Sequence, residues 1–423
     1  LGDVLMDWLK VLLAYNPYLI WTPRRGIIAG PWAGRQPTFT RATAKYSLGD
    51  DGLYRLLPAG ALDPYGVHNA TTNLAFRSMQ FNQDLSQMAA TALSDGPIVG
   101  KTAYNLADNA VSGEHYRGIS SNGSLPASTI VSCWIVRKPS ANPITYFRLE
   151  AADSAYTTVM RAIFTWDASG KPQFDSWNNV GSPSPSLLGI RQLANGWWAI
   201  YIRWTNATAS TLAQRIQTLD GSKNASYAGP LGSIDCAYWG SWSHGAMTYS
   251  DIPPIETNDS SATCNGDSVN LPSGLTQYLT RPFTMLAVAD RLTPSAGFYN
   301  VCASIFWAYS ADYVSHTLSY GNRIDTDVYI NSKRARVYTG NIYDYDSLIC
   351  HASTYKPNEL VVAGNGSIIG TSTSCDSMPS ANGNISIGSS GAEGSRIRLA
   401  VILPWLPKDE LVRLTGLLSR VAA

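Results

Sequence analysis

Between Asn384 and Leu418 the chain spells a strand, a loop, a second strand and a helix in immediate succession. Asn384-Ile-Ser-Ile-Gly388 is a short strand stopped by glycine, and a Ser/Gly loop follows. Arg396-Ile-Arg-Leu-Ala-Val-Ile-Leu403 is then a longer strand, apolar enough to be buried. Pro404 ends it. Pro407 fits the first position of a helix, where a missing N–H costs nothing; Asp409 and Glu410 stand in the positive first turn, and Leu411, Leu414 and Leu418 form one apolar stripe. These elements close a β-sandwich with one packed helix.

The remainder of the chain is β-rich as well. Charged residues make up 14% of the 423, about half the usual share, and Ser, Thr, Asn, Gly and Tyr replace them. Aromatic and β-branched residues suit a pleated, half-buried surface, while Gly, Asn and Ser supply turns. Thr129-Ile-Val-Ser-Cys-Trp-Ile-Val-Arg137 is apolar on both faces, so it is no exposed edge. After the turn at Asn195-Gly196, Trp198, Ile200, Ile202 and Trp204 alternate with Trp197, Ala199, Tyr201 and Arg203. Asn365-Gly366, set between two apolar runs, predicts a type I′ hairpin. A chain this long exceeds one ordinary core. Apolar periodicity lapses between Asn258 and Gly274, which places a domain boundary there. The organisation predicted is 1–36 as a helix and Gly/Pro-rich arm, 37–267 as one sandwich and 268–423 as a second.

At the N-terminus, Leu1, Val4, Leu5, Trp8, Leu9, Leu12 and Leu13 form an apolar stripe at helical spacing. The stripe either packs on its own domain or docks into a partner; Leu5, Trp8, Leu9 and Leu12 are the candidate attachment or oligomerisation residues. Asp3, Asp7, Lys10 and Asn16-Pro17 interrupt the segment, which excludes a membrane span or a secretory signal there. With 31 Lys and Arg against 30 Asp and Glu, the chain has no global field to attract nucleic acid. The six cysteines lack the paired spacing of a zinc site, and several lie in apolar strands as free thiols do.

The words Ile385-Ser-Ile-Gly388, Arg396 to Leu403 and Leu406-Pro-Lys-Asp-Glu-Leu411, with the Asn365-Gly366 hairpin before them, resemble the laminin G / concanavalin A-like lectin superfamily over residues 276–420. The first domain is similar to a lectin-like module of tailed-bacteriophage fibre, spike and appendage proteins. Thr38-Phe-Thr-Arg-Ala-Thr43, Ala70-Thr-Thr-Asn-Leu74 with Phe81, Leu193-Ala-Asn-Gly-Trp-Trp198, and Ala237-Tyr-Trp-Gly240 with Tyr249 and Ile252-Pro253 carry that likeness. It departs from the pattern at Ser241-Trp-Ser and at His68-Asn69. Together these resemblances imply an all-β chain of two tandem jelly-roll sandwiches with a short helix at each end. They imply a virion protein, a homotrimer, attached to other virion proteins through its N-terminal segment and recognising host surface polysaccharide. A purely structural decoration protein and a polysaccharide depolymerase are the alternatives.

No catalytic word is present. A glycosidase needs two carboxylates roughly 5–10 Å apart. The candidate pairs Asp50-Asp51, Asp325/Asp327 and Asp344/Asp346 read as turn carboxylates, with calcium binding as their alternative use. His68, His115, His244, His316 and His351 have no nucleophile elbow beside them. The expectation is therefore a non-enzyme without a resident metal. Aromatic rings can stack on sugars; Trp239, Trp242 and Tyr249, placed in or beside a Gly/Ser/His loop, and Tyr343 and Tyr345, interleaved with aspartates, are the candidate ligand-binding residues.

Overall fold

The strand Thr129–Arg137 is buried on both sides, as its continuous apolar run predicts. Ile130, Trp134 and Val136 enter one core; Val131, Cys133 and Ile135 enter another. The neighbouring strand Trp198–Thr205 divides in the same way, Ile200, Ile202 and Trp204 against Ala199 and Tyr201. The computed structural model describes residues 2–22, 26–35, 37–49, 51–61, 71–81, 88–243, 254–264, 268–272, 274–290, 313–319, 323–338, 348–379, 385–387 and 396–421.

The first module, from Lys45 to Cys264, is built on two antiparallel sheets. One has six strands in the order Ser186–Gln192, Trp198–Thr205, Thr129–Arg137, Ser233–Ser243, Ala103–Asp108, Met88–Leu93. The other has five, in the order Tyr116–Leu125, Ser210–Leu219, Tyr146–Asp153, Val159–Trp166, Pro172–Trp177. Trp134, Trp204 and Trp239 of the first meet Phe147, Leu149, Phe164 and Ile216 of the second. Truncating one such buried aromatic costs roughly 3–5 kcal/mol, which shows how much stability this core concentrates. The far side of the six-stranded sheet is buried too. Tyr46 and Tyr54 from the hairpin of Lys45–Leu48 and Tyr54–Leu57, and Cys264 from a strand paired with Thr71–Asn73, pack there against Tyr201, Tyr238 and Trp242.

The second module is layered around a seven-stranded antiparallel sheet: Gly26–Ala29, Leu19–Thr22, Arg396–Pro404, Phe283–Asp290, Leu348–Lys356, Glu359–Gly364, Ser367–Ser372. On one face Trp21, Met285, Tyr355 and Ile402 pack against Val314, Ile324, Val328 and Val337 of a three-stranded sheet, Tyr313–Ser319, Arg323–Ile330 and Lys333–Tyr338. On the other, Ile20, Leu286, Cys350, Val401 and Leu403 lie beneath two helices, α1 (Gly2–Leu13) and α2 (Lys408–Val421). Leu411, Leu414 and Leu418 face the sheet, and Asp409 and Glu410 occupy the first turn of α2, as the sequence predicts. Pro407 precedes the helix, its carbonyl accepting the Leu411 N–H at 3.0 Å. Asn365 and Gly366 both have positive φ and join two paired strands, the hairpin expected of them. Gly366 is also where α2 rests: a Cβ there would lie 3.1 Å from the Gly416 Cα.

The first 36 residues depart from the expected arm. Leu19–Thr22 pairs with Arg396–Pro404, Gly26–Ala29 extends that sheet, and Trp8 and Leu12 are buried beside Leu411, Leu414 and Leu418. Thr38–Thr40 then pairs with Ser268–Asn270, which pairs in turn with Ser386–Ile387. Both ends of the described chain thus build the second module, and the first is inserted between two adjacent strands of it. The class is all-β, two sandwiches, as expected, but one interrupts the other rather than preceding it. Apolar periodicity reports that a face is buried; it does not report which distant segment covers it.

Candidate ligand-binding face

The outer face of the five-stranded sheet gathers charged and aromatic side chains. Along Tyr146–Asp153, Phe147, Leu149 and Ala151 point into the core, so Arg148 and Glu150 point out. Neighbouring strands add Arg161, Arg215 and Gln217 by the same alternation. Register aligns them: Glu150 pairs with Arg161 on one side and Arg215 on the other, and Arg215 pairs with Gly118 beyond. A parallel row sets Arg148 opposite Gln217, and Gln217 opposite Tyr116.

Glu150 is fully buried at the centre of this face. Its Oε2 accepts the Arg161 Nε–H at 2.7 Å, and Arg215 Nη1 stands 3.7 Å from its Oε1. Arg148 donates from Nε to the Gln217 Oε1 at 2.6 Å. Burial draws the Arg148 guanidinium below its ordinary pKa, with Glu150 opposing the change.

Arg215 is held differently. Its guanidinium lies 4.5 Å from the centre of the Tyr116 ring and 4.7 Å from that of Tyr156, an arrangement stabilised by the negative π-faces. Glu114, half exposed, stands 4.0 Å from it. Among the described residues that guanidinium makes no hydrogen bond, and neither do the Nη groups of Arg161. Gln217 Nε2 and the Tyr156 hydroxyl are buried without a hydrogen-bond partner, and burial raises the Tyr156 pKa. The turn bearing Tyr156 is fixed by Asp153, whose carboxylate accepts the Thr157 and Thr158 N–H groups at 2.8 and 2.9 Å. Gly118 makes room for the assembly, since a Cβ there would lie 2.4 Å from the Arg215 Cγ.

The arrangement presents rigid, planar, positively charged donors beside phenol rings, which suits binding of oxygen-rich ligands. It suits acid–base catalysis poorly, because Glu150 is fully buried and flanked by Arg161 and Arg215, out of reach of a substrate proton.

The residues selected from sequence fall elsewhere. Trp239 and Trp242 lie on the strand Ser233–Ser243, not in a loop, and both are buried. Trp239 packs edge-on to Phe81 with ring centres 4.4 Å apart and donates its indole N–H to the Phe76 carbonyl; Trp242 packs on the opposite face of the strand near Tyr238. Neither ring is open to a ligand. Tyr249, Tyr343 and Tyr345 lie outside the described residues, as do Asp50, Asp344, Asp346, His68 and His244. Trp8 and Leu12 are core, Leu9 is partly buried against the same cluster, and the Leu5 side chain is outside the description.

Asp325 and Asp327 are not turn carboxylates: they lie on the strand Arg323–Ile330 and bind Arg336 and Arg334 across the sheet. Asp51 binds Arg55. Among the described residues no group of three or more His, Cys, Asp or Glu is placed to hold a metal ion, and no helix is long and apolar enough to cross a membrane. Cys133, Cys236, Cys350 and Cys375 are buried free thiols and Cys264 is buried; burial pushes the thiols of Cys133, Cys236 and Cys350 up in pKa. His115 and His351 are buried.

No protein-family model matches the chain, and no curated protein matches it. Among solved structures, the chain is similar to the CBM40 module of Ruminococcus gnavus IT-sialidase bound to alpha2,3 sialyllactose, with 13% identity and a TM-score of 0.29 over 33% of this chain and 85% of that one. Mouse laminin alpha1 domains LG4-5 align with 12% identity and a TM-score of 0.22 over 75% and 92%. Trypanosoma rangeli sialidase in complex with sialic acid aligns with 10% identity and a TM-score of 0.28 over 78% of this chain and 62% of that one.

Proposed function

We propose that this chain is a non-enzymatic glycan-binding protein of a tailed-bacteriophage virion, and that the outer face of its five-stranded sheet is the binding surface. The observation that carries the reading is Arg215, stacked between Tyr116 and Tyr156 with none of its N–H donors hydrogen-bonded to any described residue. Fixed donors beside aromatic rings are what a sugar's hydroxyls and apolar ring face require. The virion part rests on the ordered words between Thr38 and Pro253. In this reading the chain is a homotrimer on the particle surface. Its contacts with other virion proteins come from surfaces other than Trp8 and Leu12, which are occupied within the fold.

A glycan array probed with the purified chain tests binding, and labelled antibody in electron micrographs of particles tests placement. Selective binding to a defined glycan set supports the adhesin reading. A chain that decorates particles yet binds no glycan is a structural decoration protein, and shortening of a polysaccharide by the chain makes it a depolymerase.

A further inference from the structure

We infer that the sugar held on this face carries a carboxylate, which Arg215 and Arg161 receive together. The inference rests on the proposed glycan site and adds its charge class. Glu150 lies between Arg161 and Arg215 in one register row, so the two guanidiniums flank a single buried carboxylate from opposite sides. Arg148 stands in the adjoining row.

Among the described residues, three guanidiniums thus share this face with two carboxylates, Glu150 and the half-exposed Glu114. Other acidic groups nearby are already engaged. Asp153 is spent on the Thr157–Thr158 turn, and Asp175 is paired with Lys223. The face therefore keeps an excess of positive charge, partly shielded from water, where screening is weakest.

Two independent features say that this excess is directed outward. Arg161 gives only Nε to Glu150 and keeps both Nη groups, and Arg215 gives none of its N–H groups to any described residue. The guanidinium fork matches a carboxylate in two parallel hydrogen bonds, whereas a hydroxyl takes them singly. Gln217, fully buried in the next row, also keeps an unpartnered Nε2. Glu150 is a positioning residue in this scheme: it holds the two arginines apart and aligned without touching the ligand.

Full-length protein is titrated with polygalacturonate and polysialic acid, and with the same polymers after carboxyl reduction. The expected result is binding to at least one acid polymer, weakened tenfold or more by carboxyl reduction and by added salt, and lost in Arg215→Gln and Arg161→Gln. Circular dichroism and melting temperature establish that each variant folds. Should either fail to fold, Arg215→Lys and Arg161→Lys keep the charge but not the fork, and the acid polymer is expected to bind them at least tenfold more weakly. Equal binding of native and reduced polymers, or wild-type affinity in the arginine variants, overturns the inference. Binding to neutral polysaccharides alone overturns it while leaving the glycan site standing; binding to no polysaccharide overturns both.

Discussion

Gly118 and Arg215 face each other across adjacent strands, and the space where a Gly118 side chain would stand is filled by the Arg215 stem: a Cβ there would lie 2.4 Å from Arg215 Cγ and 2.9 Å from the Gln214 carbonyl oxygen. One glycine therefore sets where the Arg215 guanidinium of the candidate face can lie. Replacing it with alanine displaces Arg215 from between Tyr116 and Tyr156. Overpacking of this kind costs about 1–3 kcal/mol. Gly118→Ala is expected to remain folded, with a modestly lower melting temperature, and to lose about tenfold or more in glycan affinity, equivalent to about 1.4 kcal/mol. Unchanged affinity would separate Arg215 from the ligand.

Glu150→Gln removes the one negative charge shared by Arg148, Arg161 and Arg215. Breaking a buried ion pair by deleting one partner costs about 3–5 kcal/mol, because the remaining charges stay buried and unbalanced. Chemical denaturation should show a loss of that size. A loss below about 1 kcal/mol, the range of surface pairs, would mean that the arginines reach water more freely than their burial indicates.

Acid should destabilise the fold from one side only. Asp51 is held at about 2, below its ordinary 3.8, chiefly by its hydrogen bonds with Arg55. Asp95 is lowered by Arg137, Asp175 by Lys223, Asp376 by Lys333 and Glu410 by Arg413. For groups with depressed folded-state values, the stabilisation is complete above the unfolded pKa and is lost as pH falls through the folded one. The denaturation midpoint is expected to be flat above about pH 5 and to decline from about pH 4 downward. NMR titration of Asp51 should place its midpoint near 2; a midpoint at the ordinary value would contradict the Arg55 contact.

The N-terminal helix offers a test of topology. Leu12 is fully buried against α2, so Leu12→Ala should cost about 2–5 kcal/mol in the second module. An anchoring residue exposed for a partner would cost almost nothing. Deleting residues 1–36 should likewise destabilise strand Arg396–Pro404, which loses its pairing with Leu19–Thr22. Hydrogen exchange across 396–404 reads this directly.

Much of the fold was legible because period-two alternation is a local signal. Thr129–Arg137, Trp198–Thr205, the Asn365-Gly366 hairpin and the α2 stripe all follow from residues within a few positions of one another. What escaped is non-local. Nothing near Leu19 announces that its partner is Ile402, and nothing near Thr40 announces Ser268. The candidate face escaped for a related reason: Arg148, Glu150, Arg161 and Arg215 each sit at polar positions of ordinary alternating strands. Only cross-strand register gathers Glu150, Arg161 and Arg215 into one row, with Arg148 in the next. The tryptophans drew notice through their size and their Gly/Ser surroundings, yet Trp239 and Trp242 are core because both faces of their sheet are covered. The alternation Phe147-Arg148-Leu149-Glu150-Ala151 was the available clue, an ionisable pair on one face of a strand with an apolar face behind it.

The central claim is that this face, not a tryptophan-bearing loop, binds glycan, and Arg215→Ala tests it most directly. The variant and the wild-type chain are compared side by side on one glycan array, with melting curves for both. A wild-type signal on a restricted glycan set is expected, with its loss in Arg215→Ala, which stays folded but melts at a lower temperature because Glu150 loses one of its charged neighbours. An equal signal from both proteins would contradict it.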